Sequence, residues 1–170
     1  MITNFFKLLN NLPIENHGLI LGYSDEEINK IERLYDIVIE GEFRLFMKKM
    51  GRSDGGLIGD DPIILYRELW SVRGQILFQL SFLEQLHDLK AFNYLKKPFV
   101  FSCEYETQYY FLQTKKGDNQ VYHFDEITNV IQETQLTFSE YLLDVFEKYK
   151  KDSLDGNREQ IICRGELLIC

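Results

Sequence analysis

The sequence predicts a single α+β domain. Apolar residues recur at helical spacing in the first half of the chain, alternate with polar residues in short runs from about residue 98, and return to helical spacing from Thr137 to Tyr149. The 170 residues suggest one domain, and folding at that length buries roughly 70% of the unfolded chain's surface. Hydrophobic residues make up 45%, including 13 Phe and 10 Tyr, which indicates a packed core.

Three helices are predicted before residue 51. The first covers residues 1–12, is stopped by Pro13, and has one apolar face formed by Ile2, Phe5, Phe6, Leu9 and Leu12. The second follows Ser24, which can form a capping box with Glu27. The third begins near Glu42, and Gly51 is a plausible cap for it. Its buried residues are expected to be Phe43, Phe46, Met47 and Met50.

The middle of the chain is less regular. Residues 37–39 are β-branched and are expected to leave the second helix, and residues 51–62 are glycine-rich and read as a loop. Residues 63–95 favour helix, with an interruption at Gly74, although residues 76–82 are also compatible with a strand.

An antiparallel meander is predicted next, because four short runs are rich in β-branched and aromatic residues. These runs are Pro98–Ser102, Thr107–Gln113, Gln120–Phe124 and Ile127–Ile131, with a hairpin loop at residues 115–119. A last helix covers Thr137–Tyr149, with Thr137 and Glu140 as a second capping box. The apolar tail at residues 161–169 is compatible with one more strand or with a segment lying on the core.

No catalytic, cofactor or metal motif is present in the sequence. The three cysteines lack paired ligand spacing, and Cys103 is most simply a small buried side chain. His123 stands alone on a predicted strand, where a structural role outweighs a catalytic one. The chain lacks Gly-x-Ser-x-Gly and phosphate-binding glycine patterns, and the spacing of Glu104 and Glu106 is no evidence for glycosidase chemistry in so acidic a chain.

The tyrosines from Tyr105 to Tyr110 have two interpretations. On a strand, Tyr109 and Phe111 point to one side and Tyr110 and Leu112 to the other, so one set belongs to the core. The other set is either covered by a helix or exposed as a tyrosine-rich binding face.

The net charge indicates which kinds of partner the protein can bind, and the N-terminal sequence indicates its cellular compartment. The formal net charge of −8 disfavours direct nucleic-acid binding and is compatible with a basic protein partner, although it also serves simply to keep a protein in solution. Residues 1–7 lack the features of a signal peptide, and no apolar run reaches the ~18 residues of a membrane span. We therefore expect a cytoplasmic protein.

Five segments, in this order, resemble the SUKH superfamily, which holds bacterial toxin-immunity proteins and relatives of yeast cell-wall-synthesis regulators. They are Tyr23–Ile28, Tyr35–Phe46, Asp54–Gly56, Gln120–Asp125 and Leu136–Leu142. The chain departs from the family pattern in having Ile39-Glu40 in place of Leu-Pro and Asp54 in place of Asn.

The resemblance implies an α+β fold in which helices pack on a central antiparallel sheet. It covers residues 23–149 as the family core of one domain spanning 1–170. The N-terminal helix at 1–12 and a C-terminal extension at 150–170 lie outside it.

The resemblance also implies a protein-binding module without enzyme activity. The first expectation is an immunity protein that binds and neutralises a cognate bacterial toxin, often a nuclease, and the alternative is a cell-wall or signalling regulatory protein. Because the chain is acidic, the expected partner is a basic protein that complements its charge. The candidate partner-binding residues are Asp54, Asp60, Asp61, Glu104, Tyr105 and Glu106.

Overall fold

The described residues form helices and two antiparallel sheets, which confirms the α+β prediction. The computed structural model describes residue 7 and residues 19–58, 62–154 and 162–169. In chain order, the helices and strands of these residues are β1 (Ile20–Leu21), α1 (Asp25–Tyr35), α2 (Gly41–Met50), β2 (Ser53–Asp54), α3 (Val72–Asp88), β3 (Pro98–Glu104), β4 (Gln108–Gln113), β5 (Gln120–Asp125), β6 (Val130–Thr137) and α4 (Phe138–Leu154).

The main sheet is the predicted antiparallel meander, with strand order β3-β4-β5-β6. Its last strand begins at Val130 and runs later than the predicted range 127–131. The reason is a turn in which the Asp125 carboxylate accepts hydrogen bonds from the backbone N–H groups of Ile127 and Thr128, at 2.9 and 3.3 Å.

Helices α1, α2 and α4 cover one face of this sheet. Phe138, the first residue of α4, lies at the centre of that layer. Its ring contacts those of Phe43 and Phe46 on α2 and of Phe101 on β3, at centroid distances of 5.4, 5.3 and 4.9 Å. Such edge-to-face contacts add to the hydrophobic burial of the rings.

The two predicted capping boxes differ in how completely they form. The backbone N–H of Glu27 donates to Ser24 Oγ at 3.3 Å, and that of Ser24 donates to Glu27 Oε2 at 2.8 Å, which completes the predicted capping box. At the start of α4 the predicted box is only half formed: the N–H of Thr137 donates to Glu140 Oε2 at 2.8 Å, but Thr137 Oγ1 has no hydrogen-bond partner among the described residues.

Helix α3 covers the opposite face. Phe82 packs its ring against Tyr109, Phe111 and Phe124 at centroid distances of 6.0, 5.0 and 5.9 Å. The helix interpretation of residues 76–82 is therefore confirmed over the strand alternative.

The predicted interruption at Gly74 is wrong. Gly74 lies in the first turn of α3 and donates its N–H to the cap residue Ser71 at 3.1 Å. The helix begins only at Val72, because residues 64–66 form a buried 3₁₀ turn below it.

Over residues 162–169, the C-terminal tail lies on the core and does not form a strand. Cys163 and Leu167 are buried, and Leu167 donates its N–H to the Tyr23 hydroxyl at 3.0 Å. Arg52, beside β2, pairs with Glu166 of the tail at 3.0 Å and with Glu27 of α1 at 2.8 Å. This group ties the tail to α1 and to the small sheet formed by β1 and β2.

The helix predicted over residues 1–12 lies outside the described residues, apart from Lys7. In the part of the chain that is described, none of the helices combines the length and the apolar character needed to cross a bilayer.

Candidate protein-binding surface

Asp54 is not a surface carboxylate, which corrects its assignment to a partner-binding site. The residue is fully buried, and its carboxylate accepts hydrogen bonds from the N–H groups of Gly56 and Ile58 at 2.8 and 2.6 Å. Gly55 and Gly56 have φ values of 68° and 84°, in the left-handed region that favours glycine. Asp54 therefore organises a glycine turn at the end of β2.

Asp60 and Asp61 lie outside the described residues. Their role in binding stays a prediction.

The other three predicted residues come together in the turn between β3 and β4. The N–H of Thr107 donates to the carbonyl of Glu104 at 3.3 Å, which closes the turn. Tyr105 and Glu106 are its central residues, with φ values of 52° and 59°. Two successive left-handed residues are the pattern of type I′ hairpin turns. The Tyr105 side chain is 85% exposed and projects from the end of the sheet.

The two carboxylates of this turn differ in their surroundings. Glu106 forms a two-pronged ion pair with Arg67 at 3.0 and 3.3 Å, and that guanidinium also lies over the Trp70 ring. Glu104 accepts a hydrogen bond from the Tyr141 hydroxyl at 3.2 Å. The charge of Glu106 is thus balanced by a cation, whereas Glu104 meets a neutral donor.

A hydrogen-bonded row of side chains continues from this turn across the sheet. We call the surface formed by Gln108, Tyr110, His123, Asp125 and Gln132 the open sheet face. His123 Nε2 bonds Gln108 Oε1 at 2.8 Å, and His123 Nδ1 bonds Gln132 Nε2 at 3.3 Å. Gln108 Nε2 donates to Asp125 Oδ1 at 3.2 Å. These partners are satisfied by a neutral imidazole with its proton on Nε2.

Burial lowers the pKa of His123, although Asp125 and Glu104 act in the opposite direction. The ring also stacks on Tyr110 at a centroid distance of 4.9 Å. His123 therefore fixes the positions of its neighbours on the open sheet face.

Helix α4 borders the open sheet face. Tyr110 packs against Tyr141 at 4.8 Å but stays partly exposed, whereas Leu112 is buried, so the helix-covered interpretation holds for only part of this side of β4. Burial, together with the nearby charges of Glu104 and Asp144, raises the pKa of Tyr110 to about 12. The exposed tyrosine is Tyr105, in the turn.

The described residues contain no cluster of metal ligands, and the Cys103 thiol is not ionised. None of their His, Cys, Asp and Glu side chains form a group of three or more that could hold a metal ion. Burial raises the pKa of the Cys103 thiol to about 11, so this cysteine stays protonated, as expected for a core side chain. A cleft between α2 and the β4–β5 loop, lined by Glu40, Phe43 and Asn119 among others, has a volume of about 20 Å³, which is room for a water molecule.

Comparison with known protein families assigns the chain to one of them. The SUKH_5 family model, described as SMI1-KNR4 cell-wall, matches residues 2–147, and the chain belongs to this family. The match begins at residue 2, so it includes the N-terminal segment that lay outside the motif resemblance. No curated protein and no solved structure matched the chain.

Sequence reasoning found the turn but missed its neighbours. Gln108 and His123 alternate with buried aromatic residues along β4 and β5, and Gln132 lies opposite His123 on β6. That alternation marks a sheet face that is not fully covered. Their alignment in one row depends on strand register, which the sequence left undetermined.

Proposed function

We propose that this protein is a non-enzymatic immunity protein of the cytoplasm that binds and neutralises a basic toxin domain. The proposed binding surface is the β3–β4 turn with the adjoining open sheet face. The observation that carries the proposal is the exposed Tyr105, which lies between Glu104 and Glu106 in a left-handed turn. Family membership supports a protein-binding role without naming the partner.

The backbone of the turn supports a role in recognition. Type I′ turns favour Asn-Gly, because asparagine and glycine adopt positive φ at low cost. A bulky residue such as Tyr105 in that region is an outlier that costs roughly 1–3 kcal/mol. Such strain collects at functional sites, and an exposed tyrosine is a common anchor of protein interfaces.

The charges of the surface support a basic partner. Glu104 and Asp125 are bound by neutral donors, while Asp144 of α4 pairs with Lys148 at 2.9 Å. These acidic residues, together with the net charge of −8, would attract a basic toxin and steer it toward the surface. If the toxin is a nuclease, these carboxylates can occupy the sites where the phosphates of its nucleic-acid substrate bind.

The test is a binding titration against the product of the neighbouring gene at low and high salt. Tyr105→Ala is expected to weaken binding most, by about 2 kcal/mol, as for an interface anchor. Glu104→Gln should weaken binding more than Glu106→Gln, because Arg67 already balances the charge of Glu106. Affinity should fall as salt rises, because exposed charges are screened beyond ~8–10 Å.

A matched control is Phe92→Ala. Phe92 is another exposed aromatic residue, at 63%, but it lies beside His87 at the end of α3. Its removal should leave binding unchanged. Equal effects of Tyr105→Ala and Phe92→Ala, or an affinity independent of salt, would contradict the choice of surface.

The family description favours a second candidate, a regulatory interaction protein in cell-wall assembly. A pull-down separates the two, because an immunity protein captures the neighbouring toxin and a regulator does not. Both candidates lack enzyme activity. A turnover screen that detects activity lost in Glu104→Gln or His123→Ala would exclude both.

A further inference from the structure

The outer surface of α3 exposes two leucines. Leu77 and Leu80 are 54% and 50% exposed, although the opposite side of the same helix buries Phe82 and Leu86 against the sheet. Scattered exposed leucines are normal in proteins. Here the two leucines are three residues apart, so they are neighbours on one helical face.

Opposite charges lie at the two ends of this pair. Arg73 and Glu84 are exposed, and neither makes an ion pair or hydrogen bond with another described residue. Each charge is four residues from the nearer leucine, so all four side chains share one helical face. We call Arg73, Leu77, Leu80 and Glu84 the α3 stripe.

The order of the stripe makes it complementary to itself. If two copies of α3 pack antiparallel about a two-fold axis centred between Leu77 and Leu80, Leu77 meets the partner's Leu80. The same symmetry brings Arg73 to the partner's Glu84, and Glu84 to the partner's Arg73. A two-fold interface requires this kind of self-complementary patch.

We propose that the α3 stripe is a homodimer interface in which two copies of this chain pack α3 antiparallel. A basic partner would meet Arg73 with repulsion, whereas a second copy satisfies both charges and covers both leucines. The patch is small, so the dimer should be weak and its population should depend on concentration. This inference does not rest on the proposed function, because α3 lies on the sheet face opposite α4.

The decisive experiment is sedimentation velocity of the full chain over a wide concentration range. The wild-type protein should show a monomer–dimer equilibrium. Arg73→Glu places like charges opposite each other in its own dimer, and so does Glu84→Arg, so each variant alone should dissociate with a constant raised about tenfold or more.

Mixing the two variants tests whether the charges pair across the interface. The Arg73→Glu variant is acidic at both ends of the α3 stripe, and the Glu84→Arg variant is basic at both ends. A mixed dimer therefore brings opposite charges together at both ends. An equimolar mixture should recover dimer at the wild-type level.

The double variant Arg73→Glu/Glu84→Arg tests whether the two charges can exchange places. Its two charges are exchanged, so an antiparallel dimer still pairs opposite charges at both ends. The double variant should therefore dimerise on its own, as the wild-type protein does.

Two controls complete the experiment. Lys30→Glu reverses an exposed charge on α1 and should leave the dimer unchanged. Leu80→Glu should abolish the dimer while its thermal melt shows a folded protein, because Leu80 lies outside the core. A wild-type monomer at all concentrations, a dimer insensitive to Leu80→Glu, or a mixture that fails to recover dimer would each overturn the proposal.

Discussion

At the scale of single residues, the turn after β2 depends on glycine. Gly56 has a φ of 84° and donates its N–H to the buried Asp54 carboxylate at 2.8 Å. We expect Gly56→Val to lower the free energy of unfolding by about 1 kcal/mol or more, because a β-branched residue is strained at positive φ. Chemical denaturation measures this loss.

Gly74→Ala is the matched control for that variant. Gly74 lies in the first turn of α3, and an added Cβ would meet Ser71 Oγ at an ordinary contact distance of 3.6 Å. The Gly74→Ala substitution should leave the free energy of unfolding unchanged or raise it, because alanine is the better helix former. If Gly56→Val is as stable as Gly74→Ala, the turn does not need glycine at residue 56.

The acid dependence of stability should involve Glu27. Hydrogen bonding to Arg52 lowers the pKa of Glu27 from 4.5 to about 2. Because the carboxyl ionises more readily in the folded protein, its contribution is complete above pH 4.5 and is lost as pH falls towards about 2. Glu27→Gln should cost on the order of 1 kcal/mol at pH 7, allowing for solvent screening, and much less near pH 2.

Unfolding free energies at pH 7 and at the lowest pH where the fold persists measure this difference. Glutamine keeps an acceptor for the capping box, so the variant isolates the charge. Glu26→Gln is the control, because Glu26 lies beside Glu27 in the first turn of α1 but away from Arg52. A destabilisation by Glu27→Gln that does not change with pH would contradict the assignment.

At the scale of elements, Tyr105 and Glu106 should make the β3–β4 turn less stable than a turn of the same backbone geometry whose residues favour positive φ. Replacing Tyr105 and Glu106 by Asn-Gly supplies the residues that a type I′ turn favours, so the free energy of unfolding should rise by about 1 kcal/mol. The same variant should lose toxin binding. A loss of stability in thermal or chemical denaturation would show that Tyr105 and Glu106 support the fold.

The elements that the sequence predicted well carry local signals. Helix α1 has a capping box and a regular apolar stripe, and the first four residues of β4 alternate between partly exposed and buried. The start of α3 and the position of β6 were misplaced, because each is decided by a contact outside its own segment. Residues 64–66 are held under α3 by packing, and the Asp125 carboxylate sets where β6 begins.

For the candidate site, too, the sequence predicted what has a local signal and missed what depends on contacts elsewhere. The sequence drew attention to Glu104, Tyr105 and Glu106 because an aromatic residue lies between two acids. It grouped them with Asp54, whose carboxylate is turned inward to bond its own turn. A sequence pattern does not reveal on which side of a loop a carboxylate lies, because that depends on which backbone groups need a partner.

At the scale of the whole molecule, the tail at residues 162–169 completes the core. Leu167 is fully buried, so Leu167→Ala should lower the free energy of unfolding by roughly 2–5 kcal/mol, the usual range for a buried leucine. Ile169 is 78% exposed in the same tail, and Ile169→Ala should have little effect. Thermal and chemical denaturation of the two variants test this pair, and equal stabilities would mean that the tail does not cover the core.

The anchoring of this tail has a consequence for protein synthesis. Its contacts join residues far apart in the chain, since Arg52 and Glu166 are 114 positions apart and Tyr23 and Leu167 are 144 apart. The ribosome delivers Tyr23 and β2 long before the segment that covers them. A nascent chain therefore exposes this part of its apolar core until residue 167 is available, and during that interval it is a substrate for chaperones and prone to aggregation.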